Sequence, residues 1–224
     1  MVRIALALMW AGSTHCLAQE SLPETVPEHK LCIHLYNLAE VPLDVLHGAT
    51  KEAARILARA GIETIWQESP AAAIEAHIVD HTSHSEWQHR RPDIRNYLVV
   101  SIGLAGPSGP FPGALGYALP DAQAGVHAMI FYDRVQKLTP PGIISLPNAL
   151  GHGMAHEIGH VLLGSTEHSA AGIMKANWGR TDYQRAQAGS MEFSAAQRRM
   201  MRERVSKRLA NRTAQGCAAA SKPQ

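Results

Sequence analysis

Residues 148–163 read NALGHGMAHEIGHVLL, and the fold turns on whether this stretch is a helix. Leu150, Met154, Ile158, Val161, Leu162 and Leu163 fall around most of a helical circumference, with Ser145 or Asn148 as caps at the start and Gly164 as the stop. That distribution predicts a helix buried in a core. It carries His156, Glu157 and His160 in the pattern H-E-x-x-H. Residues four apart stand one turn apart on one helix face, so both imidazoles can reach a single zinc ion at about 2.0–2.1 Å. Glu157 adjoins the first of them, where it can take a proton from water activated at a metal instead of binding the metal itself. In a core, unpaired histidine and glutamate carry a desolvation penalty, and a metal relieves it.

Downstream the chain runs Gly164-Ser165-Thr166-Glu167-His168-Ser169-Ala170-Ala171-Gly172-Ile173-Met174. With the helix, this stretch resembles the metzincin clan of zinc endopeptidases, and within it the matrixin-like branch, whose pattern is H-E-x-x-H-x-x-G-x-x-H followed by a methionine-containing turn. The resemblance implies that His156, His160 and His168 bind zinc and that Glu157 is the general base. It also makes Gly164 the turn that brings the third histidine round, and Met174 the methionine beneath the metal. The spacing departs from the clan pattern: Gly164 follows His160 by four residues instead of three, and His168 by eight instead of six, giving HExxHxxxGxxxH. A longer helix and a bulged loop accommodate this if Gly164 is left-handed.

Glu167, Asp182 or Glu192 is the alternative third ligand, in a two-histidine, one-carboxylate site. His152 shares the face of His156, but three ligands along one straight helix span about 12 Å and do not converge on one ion. Tyr183 lies too far beyond Met174 to match the tyrosine that some clan members place near the metal, and is expected to pack. Cys32 falls within a strand, so no cysteine-switch segment is expected.

Upstream, residues 30–38 (KLCIHLYNL) alternate as a strand, and residues 42–60 repeat apolar positions at helical spacing up to Gly61. Residues 62–67, 75–80, 97–104 and 126–132 read as further strands, and strand–helix–strand order implies a largely parallel sheet. Glycine and proline crowd residues 105–125, which read as irregular chain or as a short edge strand at 115–119, one rim of a cleft. A short helix follows at 133–138, and residues 194–210 form an amphipathic helix capped by Ser194. His81, His84 and His89 sit in an exposed connection. The fold class is therefore α/β (α+β); the resemblance makes it a twisted, mostly parallel sheet with an antiparallel edge strand, a backing helix, a metal-binding helix and a C-terminal helix.

The 224 residues, 46% hydrophobic, suit one domain, expected over residues 30–212. Residues 1–18 read as a secretory signal, with Arg3, an apolar run from Ile4 to Ala11 and a Cys16-Leu17-Ala18 cleavage site. Residues 19–29 make a flexible lead and 213–224 a flexible tail. Twenty-one basic and 19 acidic residues are scattered along the chain, so no field favours nucleic acid, and no segment is apolar enough for stable membrane insertion. Cys32 and Cys217 either form a disulfide that closes a long loop or remain apart as a buried and a free thiol. The expected protein is a secreted or periplasmic zinc endopeptidase that holds peptide along its edge strand. Its rivals are a noncatalytic zinc-containing binding domain and a zinc hydrolase of a non-peptide amide.

Overall fold

The computed structural model describes residues 30–69, 97–105, 113–119 and 127–219. The strand expected at 75–80 and the histidines His81, His84 and His89 lie outside them, as do the expected signal and lead. Strand β1 (Lys30–Asn37) buries Leu31, Ile33 and Leu35 on one face, as its alternation predicts. Helix α1 (Leu43–Arg59) buries Leu46, Ala49, Ala53, Ile56 and Leu57 along one stripe. The Asn37 side chain bridges the turn between them, donating to Val41 O at 3.0 Å and accepting from Val41 N at 2.9 Å. Beyond Ala60 the chain turns at Gly61 (φ 79°), which the Arg202 side chain covers while donating to Ala60 O at 3.0 Å.

Strands β2 (Glu63–Ser69), β3 (Tyr97–Gly103), β4 (Gly116–Leu119) and β5 (His127–Phe131) complete a five-stranded sheet in the order β2-β1-β3-β5-β4. Every pairing is parallel except that of β4, which runs antiparallel to β5 with Tyr117 opposite Met129. The mostly parallel sheet with its antiparallel edge is thus present. Leu98, Val100 and Ile102 of β3, wholly buried, sit at its centre, as expected of a parallel strand packed on its face.

A short helix, α2 (Tyr132–Leu138), leads to α3 (Leu146–Leu163), the helix on which the sequence reading turned. Ser145 caps it, its hydroxyl accepting from Asn148 N at 3.4 Å, and Gly164 (φ 63°) ends it in the left-handed region. Residues 149–162 are buried without a break, which only a helix enclosed by other elements achieves. Helix α1 crosses it where glycines remove the side chains. A Cβ on Gly151 would lie 2.6 Å from Ala49 O and 2.8 Å from Glu52 Cβ, and one on Gly48 2.7 Å from Pro147 Cβ.

Two helices close the domain: α4 (Arg180–Gln187) and α5 (Ala195–Ala219). Helix α4 has no counterpart in the sequence reading, because RTDYQRAQ buries only Ala186 and so shows almost no apolar period. Helix α5 starts as expected. Ser194 Oγ accepts from Gln197 N at 3.2 Å while Gln197 Oε1 accepts from Ser194 N at 2.8 Å, a reciprocal cap. The helix then runs on to Ala219, beyond the end expected at residue 210. Cys32 is a free thiol, and the side chain of Cys217 lies outside the described residues. Among the described residues no helix is long and apolar enough to cross a membrane.

The crossing of α1 and α3 leaves no room for a side chain at Gly151. Gly151→Val is expected to cost about 1–3 kcal/mol, the range for overpacking a filled core, as measured by denaturant unfolding.

Candidate metal centre

Two structural elements converge at one point. The middle of α3 supplies His156 and His160, one turn apart, and the loop beyond Gly164 returns to supply His168. One ring nitrogen from each histidine lies within 4.8 Å of the others. His156 and His160 are buried, and His168 is exposed. The His168 ring stacks on that of His156 at 5.3 Å between centroids and stands nearly perpendicular to that of His160 at 4.8 Å.

The long spacing in the sequence is absorbed as follows. Helix α3 continues to Leu163, one residue further than the clan pattern allows, and Gly164 makes the turn, with its N–H donating to His160 O at 2.9 Å. A side chain at Gly164 would overlap the Arg204 guanidinium as well as strain a positive φ. The loop then folds back on itself: Ser169 N donates to Met174 O at 2.8 Å and Ser169 pairs with Lys175. That closure brings His168 back over the helix.

The loop also orients the helix histidines. The Nδ1–H of His156 donates to Ile173 O at 2.7 Å, and the Nδ1–H of His160 donates to Ser165 O at 2.8 Å. A carbonyl oxygen only accepts, so each Nδ1 holds a proton. Burial pulls His156 down to about 4 and lowers His160, so both rings are neutral near pH 7 and each Nε2 is a bare lone pair. These two lone pairs face one another at 3.1 Å. Two acceptors at that distance repel, and a cation shared with His168 turns the repulsion into ligation. Neutral imidazoles with Nδ1 pinned to carbonyls are the donor set that zinc takes.

Met174 is wholly buried under this turn of helix. A Cβ on Gly159, the residue before His160, would lie 2.6 Å from Met174 Sδ and 2.7 Å from Phe193 Cε1. Glu157, 7% exposed, lies against Gly116 of the edge strand, and burial pushes its carboxyl up to about 8. His152 is fully buried and points elsewhere, its Nδ1–H donating to Asn148 O at 2.9 Å. The carboxylates weighed as third ligand are engaged or remote. Asp182 accepts from Lys175 Nζ at 2.5 Å and Gly179 N at 2.9 Å, Glu192 pairs with Arg59 and Arg198, and Glu167 is exposed. Among the described residues the triad His156, His160 and His168 is the group placed to hold a metal. Tyr183 packs against Trp178, at 6.0 Å between ring centroids.

Sequence reasoning overlooked Trp178. Its ring stands edge-on to His152 at 6.1 Å and to His156 at 6.0 Å, which packs the first histidine from behind. An isolated tryptophan in the segment KANWGR carries no period and no motif, so no signal in the sequence marks it.

The sequence matches no protein-family model and no curated protein. Two of the solved structures to which the fold is similar can be named. One is a zinc-dependent peptidase from Methanocorpusculum labreanum, with a TM-score of 0.51 at 15% identity over 75% of this chain and 99% of that one. The other is archaemetzincin from Methanopyrus kandleri, with a TM-score of 0.52 at 13% identity over 82% of this chain and 99% of that one. At such identities the likeness is one of fold.

Purified protein should carry one metal ion per chain by elemental analysis. His168→Ala should weaken metal affinity by more than about 100-fold, beyond the loss typical of residues that only orient a ligand.

Proposed function

We propose that residues 30–212 form a secreted zinc endopeptidase domain of the metzincin type, matrixin-like in its motif. Residues 1–18 would be its signal, 19–29 a lead and 213–224 a tail. The observation that carries this reading is the pair of bare imidazole nitrogens 3.1 Å apart on a helix whose Glu157, next to His156 in sequence, is buried. His156, His160 and His168 would hold the zinc. A zinc ion bound there acidifies water, polarises a carbonyl and, by its charge, favours the ionised form of Glu157 against the effect of burial.

The chain's own groups then divide the work. Ile173 O and Ser165 O keep the two helix histidines in the tautomer that ligates. Glu157 takes the proton from the attacking water and passes it to the leaving amine, so one carboxylate serves as base and then as acid. Among the described residues, strand β4 pairs with β5 along one edge only. Its other edge suits an extended peptide, held by main-chain hydrogen bonds regardless of side chain. The names of the two solved structures, a zinc-dependent peptidase and an archaemetzincin, support the same chemistry.

A noncatalytic zinc domain is the second reading. Structural zinc takes four closed protein ligands, whereas the donor group among the described residues has three. The count favours an open position for water and substrate.

Glu157→Gln removes the base and keeps the side chain's shape. Its rate on a quenched-fluorescence peptide library should fall by about 10²–10⁴-fold, the usual contribution of a general base, with metal content unchanged. A Glu157→Gln protein that turns over peptide at the parent rate removes the carboxylate from the mechanism.

A further inference from the structure

His156 stands where its own lone pair opposes it. Its Nε2 and that of His160 are bare acceptors 3.1 Å apart, so a ring free to swing would turn away. The hydrogen bond from His156 Nδ1–H to Ile173 O holds one corner of the ring and still lets the ring pivot about that corner. Among the described residues three rings meet His156, those of His160, His168 and Trp178. The first two are donors themselves, so neither is a fixed reference until a metal joins them. Trp178 adds no atom to the donor group.

Trp178 is anchored without help from a metal. Its ring meets His152, one turn before His156 on α3, at 6.1 Å and 89° between planes, and meets His156 itself at 6.0 Å and 76°. One indole thus spans a turn of the buried helix. His152 is fixed at Nδ1 by Asn148 O, with Glu52 Oε1 of α1 3.4 Å away. Its buried Nε2 has no hydrogen-bond partner among the described residues, so packing holds that end of the ring. Tyr183 of α4 meets the indole as well, at 6.0 Å. The chain on either side of Trp178 is clamped by one carboxylate, because Asp182 Oδ2 accepts both from Lys175 Nζ at 2.5 Å and from Gly179 N at 2.9 Å.

We propose that Trp178 is a positioning residue of the metal centre, a role that rests on the zinc reading of the triad. Its indole, tied to α3 and α4, sets the plane of the His156 imidazole and keeps Nε2 converged on His160 Nε2 against their repulsion. Order that is present before the metal arrives does not have to be imposed by the metal, and binding is tighter for it. An aliphatic side chain would fill the space without setting a plane, so the role requires a flat ring.

The test compares five full-length proteins: the parent, Trp178→Ala, Trp178→Leu, Trp178→Phe and Ile33→Ala. Ile33 is wholly buried in β1, which β3 and β5 separate from β4, and its truncation weakens the core away from Trp178. Zinc affinity, read by competition with a chelator, should fall about 10–100-fold in Trp178→Ala and Trp178→Leu, the loss typical of groups that orient a ligand. Trp178→Phe should recover most of that loss, and Ile33→Ala should bind zinc as the parent does even where its melting temperature falls as far. Cobalt(II) in place of zinc gives a second readout, because its visible spectrum follows ligand geometry. At saturating cobalt the spectrum should change in Trp178→Ala and Trp178→Leu and match the parent in the other two.

If Trp178→Ala does not fold, Trp178→Leu and Trp178→Phe decide. Parental zinc affinity with an unchanged cobalt spectrum in Trp178→Leu overturns the proposal while leaving the zinc reading intact. An equal loss of affinity in Ile33→Ala also overturns it, since lowered stability would then account for both. Failure of both Trp178→Leu and Trp178→Phe to fold does the same, by making Trp178 a residue of the fold. A parent chain that binds no zinc removes the zinc reading, and the role of Trp178 with it.

Discussion

The rest of the domain is arranged around the burial of one helix on every side. Residues 149–162 of α3 are enclosed by α1, the sheet and the closing helices, so its polar atoms have no water to fall back on. A buried imidazole that lacks a partner costs a few kcal/mol, comparable to an appreciable part of a domain's net stability. Each histidine on α3 therefore has its Nδ1–H matched to a carbonyl, two of them supplied from outside the helix. The His152 bond to Asn148 O is made within α3 and needs nothing else to fold first. The His156 and His160 bonds need the loop from Ser165 to Ile173, so the loop's path and the histidines' orientation are established together.

Legibility in the sequence followed how local the cause was. Strand β1 and helix α1 announced themselves by period, helix α3 by its apolar circumference and its stop at Gly164, and α5 by its Ser194 cap, because each of these patterns is written within a few residues. The parallel sheet followed from strand–helix–strand order, and its antiparallel edge strand came with the metzincin resemblance. What sequence could not display were contacts between distant segments: Trp178 behind His156, the crossing at Gly151, and Gly116 against Glu157. Helix α4 was hidden for a different reason. Lying on the surface with one buried residue, it has no stripe to reveal it.

The third histidine illustrates both limits. Its distance from His160 departs from the clan spacing by two residues, and spacing alone left three carboxylates in contention. The structure resolves the geometry through a residue added on each side of Gly164. One extends the helix, the other bulges the loop, and the additions let His168 face the other two rings. Asp182 and Glu192 stand in ion pairs instead, tied to Lys175, Arg59 and Arg198. Their charges knit α1, the loop and α5 together at the surface, where such pairs individually contribute little.

The groups that orient His156 and His160 are main-chain oxygens, not side chains. No point substitution can delete Ile173 O or Ser165 O; substitution can only bend the chain that carries them. Apart from His168, which faces the other two rings, and Gly172, held at a left-handed φ of 77°, the stretch from 165 to 173 is thus tolerant of composition and intolerant of length. A single-residue deletion there would move both oxygens relative to the rings, where many simultaneous side-chain changes would leave them in place. For an evolving lineage this separates two kinds of variation: most of the loop's letters can drift with the surface it meets, while insertions and deletions are filtered by the ring and the two oxygens that the loop must deliver.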